Sequence, residues 1–521
     1  MWSRWRRPSA VAMLMVVISA CGEIAPSTSN GPTSSAPFIP TFADTECPSD
    51  VEIRTLVEHS CGYLTVLENR EKPDGRTIQL FVVRTPPPEG DSRPWSIIGV
   101  GGDLGEAGGQ ASGTGAARTR AVVYNVDLRG IGHSIPDLSC PEVEALSDEA
   151  AEAASRDEAF RQSFLDAVRA CRERLVGDGV ELASYGLEES AADLEDLRVA
   201  LGLQDVAYDT KGTASRIVIE AQRRHPDHVR FAVMDSPQFP QHPEPAVALQ
   251  AFEYAFEQLA VACGEDQACA ELAPDLPRLL AEATTRLDSA PLEVTVTEGA
   301  NVQQAGRPLT ISVDGVKLLR VARLALAGDG PSNAAQLPAM IAAAADGRAS
   351  AALAEILAND LTLCAGYRPK CMREPFSMGA YLTQLCRDEL PFVDLTALAD
   401  AAGEPLAYQS VFGVDNPYFA ACEVWDVPPA SAVGSEPLAS DVPMLIFTGQ
   451  LDSTSPLPLA EAAASSFETP YVFEVPGQTH NVMGFAHCTI EIRNAWIDDP
   501  ASPPEDSGCL TELRTVFASD G

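Results

Sequence analysis

The hydrophobic pattern alternates between short apolar runs and helix-period segments in two separate parts of the chain. Short apolar runs are typical of buried strands, and a 3.6-residue period is typical of helices packed on a sheet. In the first part, strands are predicted at 63–67, 77–83, 95–100, 121–126, 206–208 and 229–234, and helices over about 144–176, 188–201 and 213–224. In the second part, strands are predicted at 443–447 and 471–475, with a helix near 457–467. Strands that alternate with helices predict an α/β fold with a mostly parallel central sheet covered on both faces.

Between these two parts the pattern changes. Residues 241–434 are rich in Ala, Leu and Glu and predict helices, apart from one strand pair at 292–296 and 309–313. We therefore predict a sheet domain in two pieces, 45–240 and 435–521, interrupted by a helical cap insertion at 241–434.

The N-terminal residues predict export. A basic start precedes an apolar run at 11–18 that is too short to span a bilayer, and small residues then lead to Cys21. This ending resembles a bacterial lipobox, in which Cys21 receives diacylglycerol. We predict a signal peptide at 1–20, a lipidated flexible tether at 21–44, and an extracytoplasmic lipoprotein that touches the membrane only through its lipid. The alternative is an ordinary secretory signal with a chance cysteine.

The charge balance excludes one class of partner. The 521 residues include 74 acidic and 36 basic ones, and the formal net charge is −38. Such a surface repels phosphate backbones, so no nucleic-acid partner is expected. The sequence has no phosphate-binding or dinucleotide-binding motif and no CxxC, so no cofactor and no metal are expected.

The cysteine count agrees with export. Twelve cysteines remain when Cys21 is set aside, and they fall into sequence-near couples that are typical of disulfides formed in an oxidising compartment. The couples are Cys47/Cys61, Cys140/Cys171, Cys263/Cys269, Cys364/Cys371, Cys386/Cys422 and Cys488/Cys509.

Three motifs, in this order, resemble those of α/β-hydrolases. Residues 127–134 read Asp-Leu-Arg-Gly-Ile-Gly-His-Ser and match a DxRGxGxS segment, 451–456 resemble an acid loop, and 476–480 resemble a histidine loop. Over about 45–515 the chain resembles the exported tripeptidyl-aminopeptidase-like (TAP-like) group, which is related to prolyl aminopeptidases. The resemblance implies acyl transfer by a serine, an acid and a histidine, in that chain order.

Asp452 and His480 are the acid and the histidine that this resemblance implies. Each follows a predicted strand. The alternatives are a turn or helix-cap role for Asp452 and a surface-loop role for His480. His133 and His487 are weaker candidates for the histidine.

The serine itself is absent. The fold places its nucleophile in a tight G-x-S-x-G turn between a strand and a helix, and no such motif occurs. In relatives the serine lies about eleven residues after a leucine that corresponds to Leu201 and about thirteen before a position that corresponds to His225. Both counts reach Gly212. A rival alignment makes Thr210 the nucleophile, at the cost of two extra residues in the following helix. Ser215, one helical turn further on, is a third candidate.

The loop that corresponds to the oxyanion-hole loop of relatives is also altered. Relatives carry His-Gly-Gly-Pro-Gly or a close variant, whereas this chain follows Gly101 and Gly102 with Asp103. The resemblance implies oxyanion donors at Gly101, Gly102 and Thr213. Negative charge at Asp103 and Glu106 opposes stabilisation of an oxyanion.

We therefore expect a catalytically impaired hydrolase whose pocket under the cap binds a peptide or small molecule. The alternative is an active peptidase or esterase that uses Thr210 or Ser215 with Asp452 and His480. A purely structural envelope protein is a third possibility, and it predicts no open pocket.

Overall fold

A nine-stranded sheet runs through the part of the chain that the computed structural model describes, which is residues 38–49, 59–87, 92–106, 119–146, 149, 152–298, 306–328, 330–359, 376–403, 406–504 and 508–517. The strand order is β1-β2-β3-β5-β4-β6-β7-β10-β11. The strands are β1 (Thr41–Thr45), β2 (Ser60–Leu67), β3 (Thr77–Thr85), β4 (Ser96–Val100), β5 (Val122–Val126), β6 (Val206–Lys211), β7 (Val229–Asp235), β10 (Met444–Gly449) and β11 (Pro470–Val475). β1, β2 and β3 pair antiparallel, and the six strands from β5 to β11 in this order run parallel.

Helices cover both faces of this sheet and also build the predicted cap region. They are α1 (Pro141–Glu144), α2 (Glu158–Gly177), α3 (Leu187–Ala200), α4 (Ala214–Arg224), α5 (Glu244–Glu265), α6 (Gln267–Leu272), α7 (Leu276–Ser289), α8 (Gly315–Ala327), α9 (Ser332–Ala345), α10 (Ala351–Asn359), α11 (Met378–Gln384), α12 (Leu395–Ala402), α13 (Leu406–Val411), α14 (Pro417–Trp425), α15 (Leu457–Ala464), α16 (Val482–Phe485) and α17 (His487–Trp496). Side chains of β6 alternate between the two sides: Val206 and Tyr208 join one hydrophobic cluster and Ala207 joins another. The predicted α/β class is confirmed.

The predicted cap region packs in two ways. Its first part, α5 to α10 with the hairpin of β8 (Leu292–Val296) and β9 (Leu309–Val313), forms a hydrophobic cluster of its own together with α13. Helices α11 and α14 instead bury side chains such as Leu382 and Trp425 in the main cluster of the sheet domain. The later part of 241–434 therefore packs against the sheet domain and is not only a cap.

Two predictions about local structure were wrong. The helix predicted over about 144–176 begins only at Glu158, because Asp157 has an extended backbone and its carboxylate accepts a hydrogen bond from the Phe160 amide, which is the geometry of an N-cap. The predicted tether, 21–44, also extends too far. Its last residues belong to β1, which pairs with β2 at the edge of the sheet.

Arg129, from the DxRGxGxS segment, is a structural residue of the core. Its guanidinium donates two hydrogen bonds to Asp193, at 2.7 and 2.6 Å, and one to the carbonyl of Glu68 at 2.8 Å. Both side chains of the ion pair are fully buried. The segment therefore joins β5 to α3, and its Leu128 also lines the small cavity beside Asp103 that is described below.

Five of the predicted cysteine couples are disulfides, namely Cys47–Cys61, Cys140–Cys171, Cys263–Cys269, Cys386–Cys422 and Cys488–Cys509. Cys364, Cys371 and the predicted lipidation site Cys21 lie outside the described residues. Within the described ranges, none of the helices combines the length and the apolar character that crossing a membrane requires.

Candidate active site

The candidate residues lie together at the carboxyl edge of the parallel strands. Gly101 and Gly102 follow β4, Gly212 follows β6, Asp452 follows β10 and His480 follows β11. Parallel strands that are neighbours in a sheet end at the same edge, so four loops that are distant in sequence meet here. This edge is where ligands bind in open α/β sheets.

Gly212 forms the tight turn between β6 and α4. Its φ is +59°, a left-handed conformation that favours glycine, and its amide donates to the carbonyl of Asp235 at 3.1 Å. A Cβ atom placed on Gly212 would lie 3.3 Å from Nε2 of His480. A side chain at position 212 would therefore face the histidine, as the nucleophile of this fold does.

Asp452 and His480 form a buried pair. Oδ2 of Asp452 lies 3.0 Å from Nδ1 of His480, and neither side chain is exposed by more than 1%. The other carboxylate oxygen accepts hydrogen bonds from the amides of Thr454 and Ser455, at 2.8 and 3.1 Å. Asp452 is thus both a turn residue and the partner that orients the imidazole.

Asp103 occupies the space that a nucleophile would need. Its Oδ1 accepts a hydrogen bond from the Thr213 amide at 3.2 Å, and its Oδ2 lies 3.6 Å from Nε2 of His480. A Cβ atom on Gly212 would come within 2.2 Å of Oδ1. In this fold, the amide that follows the nucleophile is one of the two oxyanion donors, and here that amide belongs to Thr213. Asp103 therefore occupies the volume of a nucleophile side chain and also accepts the hydrogen bond of one oxyanion donor.

The charge of Asp103 was expected to disturb an oxyanion hole, but its position between Gly212 and His480 was not predicted. Two changes in the sequence, considered together, could have indicated this position. A glycine replaces the serine, and a carboxylate replaces a neutral residue of the oxyanion loop. Glu106 holds the carboxylate loop in position, because its Oε2 accepts from the Asp103 amide at 3.2 Å and its own amide donates to the Asp103 carbonyl at 3.0 Å.

The electrostatics keep His480 charged. Burial opposes the imidazolium, but the carboxylates of Asp452 and Asp103 outweigh burial and raise the pKa of His480 to about 10. Burial likewise opposes ionisation of Asp452, yet the imidazolium and the hydrogen bonds hold the pKa of this carboxyl below its usual range. The imidazolium form of His480, with a proton on each ring nitrogen, is therefore favoured at neutral pH, and this form does not accept a proton.

Neither alternative nucleophile reaches the histidine. Thr210 lies within β6, between Val100 of β4 and Met234 of β7, and Ser215 lies in the first turn of α4. Among the described residues, the Thr210 hydroxyl, the Ser215 hydroxyl and Nε2 of His480 have no hydrogen-bond partner. Neither candidate hydroxyl is thus placed to give its proton to Nε2 of His480, and the Thr454 hydroxyl lies beside the other ring nitrogen, Nδ1, at 3.0 Å.

The weaker histidine candidates lie elsewhere. The amide of His133 donates to Asp127 within its own turn, at 3.0 Å, and its ring packs on Phe81. His487 is exposed and lies 3.6 Å from Glu491 on the same helix. Neither is near the elbow glycine.

Asp235 was not predicted, although it connects the elbow to the histidine loop. Its carboxylate accepts hydrogen bonds from the amides of Val482 and Met483, both at 2.9 Å, and its carbonyl accepts from Gly212. Burial raises the pKa of this carboxyl to about 6, against the effect of these hydrogen bonds. A single aspartate after a strand gives no sequence signal that distinguishes this role.

A small charged cavity adjoins Asp103. It measures about 20 Å³ and is lined in part by Arg216 of α4 and by Asp388 and Glu389 of a π-helical turn, Leu385–Glu389. Arg216 and Glu389 form a buried ion pair. Burial raises the pKa of Asp388 to about 6. The cavity has room for a water molecule but not for a peptide.

Comparisons with known proteins agree with this architecture. A family model described as TAP-like protein matches residues 410–509, which include Asp452 and His480. No curated protein sequence is similar enough to count as a match.

Solved structures similar to the chain share little sequence with it. A thermophilic esterase from Thermogutta terrifontis is 13% identical, with 84% of this chain and 99% of that chain covered and a TM-score of 0.34. A proline iminopeptidase from Mycobacterium smegmatis is 13% identical, with 84% and 98% covered and a TM-score of 0.35. A serine hydrolase from Cycloclasticus zankles is 11% identical, with 84% and 98% covered and a TM-score of 0.33. The family match shows that residues 410–509 are similar to TAP-like proteins, and the sheet has the mostly parallel, helix-covered architecture that the resemblance to α/β-hydrolases implied.

Proposed function

We propose that this chain is an exported lipoprotein that has lost serine-hydrolase activity and binds a peptide or small molecule under its cap without cleaving it. One observation carries the proposal: the Asp103 carboxylate fills the volume into which a nucleophile at position 212 would project. Export rests on the N-terminal sequence and is in keeping with the disulfides.

Three parts of the catalytic chemistry are affected together. Removal of the serine from a triad costs on the order of 10⁶ in turnover. What remains in such variants comes from the oxyanion hole and from substrate binding, and here Asp103 accepts the Thr213 amide. The protonated His480 removes the general base as well. Each loss alone is severe, and Asp103 contributes to two of them, because its carboxylate accepts the Thr213 amide and, after Asp452, favours the imidazolium.

Ligand binding at this edge requires Asp103 to move. The cavity beside it is too small for a peptide, but the groups that hold Asp103, an amide N–H and an imidazolium, are ones that bind oxygen anions. A ligand carboxylate or carbonyl oxygen suits the same donors once the Asp103 side chain has swung aside. We therefore place the ligand's oxygen group at Thr213 and His480.

The test is covalent labelling with a fluorophosphonate probe, read by peptide mapping. We expect no adduct on the wild-type chain. The double variant Gly212→Ser/Asp103→Gly restores a hydroxyl within reach of His480 and vacates its space, so we expect an adduct at position 212. Adding His480→Ala to the double variant removes the base and abolishes that adduct.

The single variant Gly212→Ser is the matched control. Asp103 still fills the side-chain volume in this variant, so it is labelled far more slowly than the double variant. A wild-type adduct on Thr210 or Ser215 that disappears in His480→Ala would overturn the proposal and identify a working nucleophile. Circular dichroism of each variant shows whether the comparison is between folded proteins.

A further inference from the structure

Two histidines and a glutamate meet at the opposite end of α4 from the elbow glycine. Nδ1 of His228 lies 3.0 Å from Oε1 of Glu195, and the rings of His225 and His228 are stacked with 5.8 Å between centroids and 6° between planes. One donor atom from each of the three residues lies within 4.8 Å of the other two. In the described ranges no other three His, Cys, Asp or Glu side chains converge in this way.

The local backbone conformation points the side chains of His225 and His228 in the same direction. His225 ends α4, and Pro226–His228 is one turn of 3₁₀-helix. A 3₁₀-helix has three residues per turn, so side chains three apart lie above one another. The stacked rings follow from this spacing, and the proline limits the alternatives available to the turn.

The third side chain is held by a neighbour. Glu195 lies on α3, and Arg198, one turn later, donates to both of its carboxylate oxygens at 2.8 and 2.6 Å. Arg198 also donates to the carbonyl of Gln204 at 3.2 Å, which fixes its own position. A carboxylate has about four lone-pair sites, so Glu195 can accept from Arg198 and still ligate a cation. The arrangement matches a metal ligand that an outer residue orients.

We propose that Glu195, His225 and His228 bind one Zn²⁺ ion, with water as the fourth ligand. Two imidazoles and a carboxylate favour zinc over Mg²⁺ or Ca²⁺, which take oxygen ligands. Zinc bonds of about 2.0–2.1 Å place tetrahedral donors roughly 3.4 Å apart, so donors now at most 4.8 Å apart need only small side-chain rotations. The site contributes nothing to the triad-like centre: α4 has 11 residues, so roughly 16 Å separates the two along the helix.

Zinc at this site joins α3 to the connection between α4 and β7. A ligand that binds only the folded state raises its stability by mass action. The two segments flank the elbow helix, so the ion stabilises the scaffold on which the elbow stands.

The test is titration calorimetry of the full chain, without a histidine tag, with zinc chloride. We expect one equivalent to bind, and we expect His228→Gln and Glu195→Gln each to weaken binding roughly tenfold or more. The matched control is His487→Gln, which removes an exposed histidine that also has a glutamate beside it. It leaves the affinity unchanged, and magnesium chloride produces no binding heat.

Thermal unfolding provides an independent measurement. Excess zinc raises the melting temperature of the wild type and of His487→Gln, and raises that of His228→Gln and Glu195→Gln much less. The proposal is overturned if the wild type binds no zinc, or if both site variants bind it as the wild type does.

Discussion

The carboxylate of Asp103 faces Nε2 of His480 at 3.6 Å, while Asp452 holds the other ring nitrogen at 3.0 Å. One imidazole is therefore flanked by two carboxylates, and the second of them stands where a hydroxyl is needed for acyl transfer. The ion pair replaces the hydrogen bond between nucleophile and base that nucleophilic catalysis requires.

Replacing Asp103 by asparagine lowers the pKa of His480 from its value of about 10 toward the ordinary range, because one of the two carboxylates that favour the imidazolium is lost. Titration of the imidazole resonances by NMR measures the change. The variant Asp346→Asn, which neutralises an exposed carboxylate paired with Arg348, leaves the His480 titration unchanged. An unaltered pKa in Asp103→Asn would show that Asp103 does not act on the histidine.

The pH dependence of the free energy of unfolding tests the electrostatic environment of His480. The pKa of His480 is about 10 in the folded protein against 6.5 ordinarily, so the folded state binds the proton more tightly. The resulting stabilisation is complete below pH 6.5 and is lost as the pH rises toward 10. In urea unfolding, the free energy of unfolding of the wild type therefore falls more steeply over this interval than that of His480→Gln. Parallel curves for the two proteins would contradict the prediction.

The elbow glycine is required by both conformation and space. Gly212→Ala places an L side chain at a φ of +59° and drives its Cβ into Asp103. Gly202 is the matched control, because its φ is +66° and a Cβ there meets no atom within 4 Å. Gly202→Ala costs about 1–2 kcal/mol in free energy of unfolding, from backbone strain alone. Gly212→Ala costs more than Gly202→Ala in the same denaturant experiment, and equal losses would mean that Asp103 moves aside freely.

The Arg129–Asp193 pair stabilises the fold from within. Arg129→Leu leaves the buried Asp193 charge with Arg70 as its remaining cationic partner, so we expect a loss of about 3–5 kcal/mol in the free energy of unfolding. Arg278→Leu removes an exposed, solvent-screened ion pair with Glu282 and is expected to leave the free energy of unfolding nearly unchanged. A loss below 1 kcal/mol for Arg129→Leu would show that this motif is not structural.

Much of the sheet was predictable because its strands are apolar runs of the expected length. The strand pair at 292–296 and 309–313 has the predicted bounds, and β6 and β7 begin where predicted. β1 was missed because an edge strand is specified by its pairing with β2 more than by its own pattern. The start of α2 was missed because the capping geometry of Asp157 overrides a periodic pattern that continues upstream.

The site was predictable only in part, for a physical reason. Counting from two landmarks identified Gly212, and motif order identified Asp452 and His480, because each uses local sequence. The position of Asp103 depends on two loops that lie 109 positions apart and meet only in the folded sheet. No local pattern reports that a carboxylate from one loop fills the space left by a missing side chain in the other.

The left-handed conformation of Gly212 also restricts which substitutions can accumulate in this site during evolution. A serine at position 212 gains no function while Asp103 remains, because its backbone is strained and its Cβ collides with the Asp103 carboxylate. A glycine at 103 gains no function while the serine is absent, and it leaves the His480 charge with one counterion fewer. Under the proposed loss of activity, each first step is unfavourable or neutral, so a gradual return to serine chemistry is not expected.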